Sequence, residues 1–274
     1  MTSAGIEPHR AYEHLVVPFD GSAAAEQAAT AAAQLAAVSG AALHVLYVQD
    51  DAGRSGDAVA AQARLLAGRL GTRAEIRPAA DKSVPPGTAI GAYLQELGNA
   101  TAVMSTHGRG RLGSAVLGSV MADVVAAGHA VVALGPRASL EEPPKRVLAC
   151  VDPTGLAADV VAEAAGWARA LQVPLWLIEV VSPKVLVPSH EGRESAFVHG
   201  LADQARADGL TLEWEVLHHD RPDEAIVTYA TVPGTMLALA THGRTGVQRA
   251  LVGSVTGDVL RSATCPVVLV RPVS

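Results

Sequence analysis

Aromatic residues and lysines are scarce in this chain of 274 residues. Aromatics make up 3% of the composition, whereas proteins that bind single-stranded nucleic acids stack the bases on aromatic side chains. Lysine occurs only at positions 82, 145 and 184, and the formal net charge is −6 at pH 7. Because no basic cluster is available to neutralise a phosphate backbone, the composition argues against binding to duplex nucleic acid.

Cysteines and long apolar runs are also few. The two cysteines, Cys150 and Cys265, lie near apolar segments; they could form one disulfide, but we expect buried free thiols in a reducing compartment. No apolar stretch reaches the ~18 uncharged residues of a membrane span. The polar N-terminal segment lacks the apolar core of a secretory signal, so we expect a soluble cytoplasmic protein.

The first half of the chain alternates short apolar runs with helix-forming segments. Leu15–Asp20 predicts a buried strand, and the alanine-rich Ala23–Val38 predicts a helix that Ser22 caps and Gly40 ends. The same reasoning predicts strands at Ala42–Val48, Arg73–Ala79, Thr101–Thr106 and Ala130–Gly135, and helices at Asp57–Leu70, Pro85–Leu97 and Ser119–Ala127.

The second half repeats this order. It predicts strands at Arg146–Asp152, Pro174–Val181, Thr211–His219, Thr235–Thr241 and Pro266–Val270, and helices at Thr154–Leu171, Ala196–Ala207 and Pro222–Ala230. Alternating strands and helices predict an α/β fold with two similar open, five-stranded parallel-sheet domains, Rossmann-like, with helices on both faces. We place the domains at residues 1–138 and 145–274, with a linker rich in proline and charge at residues 136–145.

One motif occurs twice, 135 residues apart (241 − 106). Thr106–Val120 and Thr241–Val255 share eight of fifteen positions, and both place a glycine after a strand, nine further residues, and then Gly-Ser at the start of a helix. Ligands of open α/β sheets bind beyond the carboxyl ends of the strands, and helix N-termini attract phosphate. The motif therefore predicts a phosphate site, although tight turns and close packing would also explain the glycines.

On these residues the chain resembles the universal stress protein family, in both halves. The family pattern is Gly, two residues, Gly, nine residues, then Gly-Ser or Gly-Thr. The resemblance implies ATP as ligand, with Mg²⁺ on its phosphates as an option, a role in stress or dormancy adaptation, and pairing of domains or of a homodimer through the last strands. It implies one site at Asp20, Gly21, Val48, Gly108, Arg109, Gly118, Ser119 and Val120, and a second at Asp152, Val180, Gly243, Arg244, Gly253, Ser254 and Val255.

Two departures from the pattern bear on binding. The first pattern glycine is Ser105 in one half and Ala240 in the other, which would cost about 1 kcal/mol or more if that position needs a positive φ. In the second half Pro153 stands where the first half has Gly21. Proline has no backbone N–H, so the second site is the weaker prediction.

The sequence offers no designated catalytic base. His107 and His242 lie within the repeated motif and are interpreted as loop residues, while the adjacent His218 and His219 would point to opposite faces of a strand and chelate a metal poorly. We therefore expect a nucleotide-binding protein that is not an enzyme and has no metal site of its own. The alternatives are a nucleotide-free dimerisation or interaction module and, less favoured, a slow ATPase.

Overall fold

The computed structural model describes residues 11–49, 54–78, 84–106, 117–153, 156–185, 191–205, 210–241 and 252–271. In the first half, the elements are β1 (His14–Pro18), α1 (Ala23–Ser39), β2 (Ala42–Gln49), α2 (Arg54–Arg69), β3 (Ala74–Pro78), α3 (Pro86–Leu97), β4 (Ala100–Ser105), α4 (Ser119–Ala126) and β5 (Val131–Leu134). In the second half, they are β6 (Arg146–Val151), α5 (Ala157–Leu171), β7 (Leu175–Val181), a 3-10 turn (Pro183–Val185), α6 (Glu191–Ala205), β8 (Leu212–His218), α7 (Pro222–Tyr229), β9 (Thr235–Ala240), α8 (Ser254–Ser262) and β10 (Val267–Val270).

Helix α1 begins and ends where local chemistry predicts. The Ser22 hydroxyl accepts a hydrogen bond of 3.1 Å from the N–H of Ala25, which satisfies one of the unpaired donors at the helix start. Gly40 ends the helix in the left-handed conformation, with φ of 76°, and its N–H donates to the carbonyl of Ala36 at 2.9 Å. Both features confirm the predicted cap and stop.

Helix α6 differs from the prediction. It begins at Glu191, five residues before the predicted start at Ala196 (196 − 191). The first turn contains charged and small residues and no apolar one, so the apolar spacing that predicts a helix does not extend to these residues.

The ten strands form one sheet, in the order β3-β2-β1-β4-β5-β10-β9-β6-β7-β8. Neighbouring strands are parallel within each half, and the halves meet where β5 and β10 pair antiparallel, with Val268 opposite Val132. Each half is thus an open five-stranded parallel sheet with helices on both faces. This arrangement confirms the fold class predicted from the alternating pattern.

Two apolar layers cover the sheet. Helices α1, α2, α5 and α6 pack on one face, and α3, α4, α7 and α8 pack on the other. Central strand residues such as Val17 and Leu148 are almost fully buried, at 0% and 1% exposure, as expected for strands covered on both faces. In the described ranges, no helix combines the length and the apolar character that crossing a membrane requires.

The junction between the halves includes close backbone contacts. A Cβ atom added at Gly135, just after β5, would lie 2.1 Å from the carbonyl oxygen of Leu260 in α8. On the other side, the guanidinium of Arg271, just after β10, donates to the carbonyls of Val125 and Ala126 at the end of α4. Each half therefore supports a helix of the other.

Both cysteines are free thiols, as the composition predicts. Cys265 is buried and Cys150 is half-buried. Burial raises the pKa of both thiols, and that of Cys265 rises to about 12. A thiol with a raised pKa holds little of the nucleophilic thiolate at neutral pH, so these side chains serve packing.

Candidate functional site

Strand register brings the first-half residues predicted for nucleotide binding to one edge of the sheet. Pro18 of β1 pairs with Leu46 of β2, and continuing this register by two residues places Asp20 level with Val48. Val16 of β1 pairs with Ala102 of β4, which continues to Thr106. The carboxyl ends of β1, β2 and β4 therefore form a common edge, where ligands of open α/β sheets bind.

The loop after β1 is a tight turn held by its own side chains. An Asp20 carboxylate oxygen accepts a hydrogen bond of 2.9 Å from the N–H of Ser22, while the Ser22 hydroxyl caps α1. Gly21 between them has φ of 82°, a conformation that costs an L-residue about 1–2 kcal/mol. The turn fixes the position of the half-buried Asp20 at the end of β1.

The start of α4 faces the same edge. The N–H of Gly118 donates to the carbonyl of Thr106 at 2.7 Å, which joins the helix start to the end of β4. Gly118 is the N-cap, with φ of −62° and ψ of 153°, and it offers no side-chain acceptor to the N–H groups of the first turn. Ser119 is exposed and Val120 is half-buried. Such a helix start presents donors and positive partial charge to an anion.

The second half repeats the connection at the helix start. The N–H of Gly253 donates to the carbonyl of Thr241 at 2.7 Å, and Gly253 has φ of −66° and ψ of 164°. Ser254 is exposed and Val255 is half-buried, like their first-half counterparts. The two Gly-Ser segments therefore have the same local geometry.

The second half also repeats the strand register. Val151 pairs with Glu179, so Asp152 lies level with Val180 one position further along both strands. Val48 and Val180 are each half-buried and pack against the layer that contains α3, α4, α7 and α8. The acidic residue and the valine predicted for each site thus meet at the carboxyl edge of each half.

Ser105 and Ala240 do not introduce backbone strain. They are the last residues of β4 and β9, and among the residues that the structure describes, Gln172 is the one non-glycine residue with a positive φ. The strain considered from the sequence is therefore absent at both positions, because the chain continues there as a strand. A small side chain satisfies the position without glycine's conformational freedom.

Several predicted residues lie outside the described ranges. Gly108, Arg109, Gly243 and Arg244, together with His107 and His242, fall in this class. The structure therefore brings together Asp20, Gly21, Val48 and the Gly118–Val120 segment in the first half, and the corresponding described residues in the second.

Sequence reasoning missed a close contact behind the first site. A Cβ atom added at Gly87, in the first turn of α3, would lie 2.4 Å from Cβ of Asp123 and 2.7 Å from the carbonyl oxygen of Val120. Glycine thus allows α3 to approach the first turn of α4. In the sequence, the only indication of this close approach is that a glycine directly follows the paired prolines at positions 85 and 86.

No group of three His, Cys, Asp or Glu side chains suited to a metal ion occurs within the described part of the chain. His218 and His219 are exposed. The ring nitrogen Nδ1 of His219 lies 3.0 Å from the backbone nitrogen of Arg221, so this histidine helps to shape the turn that leads into α7.

Solved structures share this architecture over nearly the whole chain. A universal stress protein from Archaeoglobus fulgidus DSM 4304 is 17% identical, with a TM-score of 0.70 and coverage of 95% of this chain and 98% of that one. A functionally unknown protein from Pseudomonas aeruginosa PAO1 is 20% identical, with a TM-score of 0.65 and coverage of 96% and 93%. At these identities the likeness describes the fold.

A shorter match is a universal stress protein from Archaeoglobus fulgidus in complex with dAMP. It is 21% identical, covers 47% of this chain and 97% of its own, and has a TM-score of 0.39. No protein of curated function matches the chain.

The family comparison covers both halves. The model of the universal stress protein family matches residues 11–134 and again residues 143–271. Together these ranges include every strand and helix described above. The chain therefore belongs to the universal stress protein family, with two family domains in tandem.

Proposed function

We propose that this protein binds ATP at the carboxyl edge of its first half and acts as a regulator in stress or dormancy adaptation. The observation that carries the proposal is the convergence of the Asp20–Ser22 turn and the uncapped start of α4 on one sheet edge. Within the family that the chain belongs to, this edge carries the nucleotide-binding motif. The local geometry fits an anionic ligand with a sugar and a base.

Each part of ATP has a matching group in this proposal. The Asp20 carboxylate accepts hydrogen bonds from ribose hydroxyls, and the backbone around Val48 faces the adenine. The first-turn N–H groups of α4 and the hydroxyl of Ser119 bind the phosphates, and Arg109 adds positive charge. Mg²⁺ would accompany the phosphates, because this cation prefers phosphate oxygens and water over an all-protein site.

The proposed role is regulation and not turnover. The carboxylate of Asp20 accepts a hydrogen bond from the N–H of Ser22, which holds it in the turn after β1. We therefore assign it to recognition of the sugar and not to activation of a water beside the phosphates. Bound ATP would instead shift the population of a conformation that a partner recognises.

A second candidate is an interaction module that works without nucleotide. The antiparallel pairing of β5 with β10 supports an intramolecular pairing of the two domains through their last strands. Because both last strands then lie inside the sheet, a further homodimer would use other surfaces, such as the outer strands β3 and β8. In this case the small residues of the repeated motif would serve packing alone.

The test compares ligand content and binding in the full chain. We expect mass spectrometry of ligand released from the purified protein to detect adenine nucleotide, and calorimetry to detect ATP binding. Gly118→Val should abolish binding, because a branched side chain would occupy the space proposed for the phosphates at the start of α4. Absence of extracted nucleotide together with absence of binding at millimolar ATP would favour the interaction module. Sustained phosphate release would favour the ATPase.

A further inference from the structure

We infer that the two halves have different roles, and that the chain binds one nucleotide, in the first half only. This inference rests on the proposed function and concerns its stoichiometry. The start of α8 repeats the geometry of the start of α4, with equal 2.7 Å bonds from Gly253 and Gly118. The difference between the halves lies in the turn after the first strand.

The turn after β6 cannot copy the turn after β1. Gly21 has φ of 82°, whereas the proline ring of Pro153 holds φ near −65° and removes a backbone donor. Helix α1 begins three residues after its aspartate (23 − 20), while α5 begins five residues after Asp152 (157 − 152). Pro153 therefore cannot adopt the left-handed conformation that Gly21 has after the first-half aspartate.

The helix starts beside these turns also differ. Ser22 caps α1 through its hydroxyl, and its N–H holds the Asp20 carboxylate. At the start of α5 the N-cap is Leu156, in a right-handed conformation with φ of −93°, and its apolar side chain cannot accept a hydrogen bond. Leu156 therefore does not repeat for α5 the side-chain cap that Ser22 provides for α1.

Lys184, just after β7, is engaged by a neighbouring carboxylate. Lys184 forms an ion pair of 2.7 Å with Asp220, and the hydroxyl of Ser182 donates to the same carboxylate at 2.7 Å. Because this pair is exposed, its own strength is small, but it directs the ammonium towards Asp220. The second half therefore keeps the helix start of the first site but not its glycine turn.

The second half instead supports the first site. Arg271, from the second half, donates to the carbonyls of Val125 and Ala126 at the end of α4. The first turn of that helix is the proposed phosphate-binding site. A cation at the opposite end stabilises the helix through its dipole, so the second half holds in place the helix that would bind the phosphates.

The decisive measurement is the stoichiometry of ATP binding to the full chain, by native mass spectrometry and calorimetry at saturating ATP. We expect one ATP per chain. Two per chain would overturn this inference and leave the proposed function standing. No bound ATP would overturn the proposed function and this inference with it.

Hydrogen exchange of the wild-type chain then identifies the half that binds, without any substitution. ATP should slow exchange in the first turn of α4 and leave α8 unchanged, whereas protection confined to α8 would overturn the inference. A Gly21→Pro variant gives the first half the turn residue of the second and should weaken ATP binding at least tenfold. Gly68→Ala, in an open position on α2, is the matched control, and retention of full affinity by Gly21→Pro would also overturn the inference.

Discussion

Tyr12 donates a hydrogen bond of 3.1 Å to the carboxylate of Glu163, a residue of the other half that lies 151 positions away. The second carboxylate oxygen accepts a bond of 3.1 Å from the indole N–H of Trp167. Glu163 is 5% exposed, so the two bonds satisfy a buried charge. Burial, and secondarily the Glu163 charge, raises the pKa of Tyr12 well above its usual value, which keeps the phenol a donor.

The first prediction concerns this contact between the halves. Glu163→Gln replaces one carboxylate oxygen with an amide N–H₂, so one of the two donors loses its acceptor. We expect a loss of about 1–3 kcal/mol in the free energy of unfolding, and a smaller loss of about 1 kcal/mol for Tyr12→Phe, which removes one bond. Urea denaturation followed by circular dichroism measures both changes.

The control for this prediction is Glu26→Gln in α1. Glu26 is exposed and faces Arg69 at 3.8 Å, so we expect a change below about 0.5 kcal/mol. If Glu163→Gln is no more destabilising than Glu26→Gln, the buried carboxylate does not stabilise the junction. A double-mutant cycle with Tyr12→Phe would isolate the coupling between the two side chains.

The second prediction concerns the close approach of α3 and α4. Gly87→Ala places a methyl group 2.4 Å from Cβ of Asp123 and 2.7 Å from the carbonyl oxygen of Val120, so α3 must move away from the first turn of α4. We expect a loss of about 1–3 kcal/mol in stability and a weaker affinity for ATP, measured by denaturation and calorimetry.

Gly68→Ala in α2 is the matched substitution. A Cβ atom at Gly68 has open space around it, and alanine is favoured over glycine in a helix by roughly 0.5–1 kcal/mol. The control variant should therefore be slightly more stable than the wild type. Equal effects at Gly87 and Gly68 would show that helix propensity, and not contact with α4, governs both positions.

The sequence predicted the features that depend on neighbours along the chain. The Ser22 cap, the stop at Gly40 and the helix start at Ser119 follow from local chemistry, and the structure has all three. The tandem five-stranded plan followed from the alternation of apolar runs and helical segments. The same alternation placed Asp20 and Val48 at the carboxyl edge, because parallel strands share one direction.

The features that sequence reasoning missed depend on how helices cross. Nothing near Tyr12 indicates that a glutamate 151 positions away accepts its hydrogen bond. Similarly, the need for glycine at position 87 arises from a helix that begins more than 30 residues later, at Ser119. Such contacts are set by the packing of helices on the sheet, which local patterns do not encode.

The third prediction concerns acid pH and a chain of hydrogen-bonded rings. His44 lies 3.0 Å from both His14 and the hydroxyl of Tyr93 through its two ring nitrogens. Burial, and then repulsion from His14, lowers the pKa of His44, while the Glu75 carboxylate opposes the shift. Neutral His44 can donate to His14 and accept from Tyr93, whereas two protonated rings would place N–H groups against each other.

The direction of the pH effect follows from proton counts. As the pH falls through about 6.5, His44 of the unfolded chain takes up a proton, whereas the folded chain resists protonation until lower pH. The unfolded state then binds more protons, so the free energy of unfolding decreases as the pH falls through this window. In His44→Gln, the free energy of unfolding should depend less on pH, which denaturation at several values between pH 5 and 8 measures. The control is His218→Gln, at an exposed position, which should leave this pH dependence unchanged. An unchanged pH dependence in His44→Gln would contradict the prediction. His129, whose pKa burial also lowers, contributes to the slope in both proteins.

The fourth prediction concerns Arg271 and the end of α4. Arg271→Met keeps the apolar stem and removes the donors to the carbonyls of Val125 and Ala126. We expect a loss of about 1 kcal/mol in the free energy of unfolding, because the hydrogen bonds and the favourable charge at the end of the helix dipole are lost. We also expect a weaker affinity for ATP, because α4 carries the proposed phosphate-binding site. Arg261→Met, which breaks the exposed pair with Asp258 in α8, is the control; it should cost roughly 0.5 kcal/mol of stability and leave the affinity for ATP unchanged. If ATP affinity survives in Arg271→Met while stability falls, the second half stabilises the fold without supporting the nucleotide site.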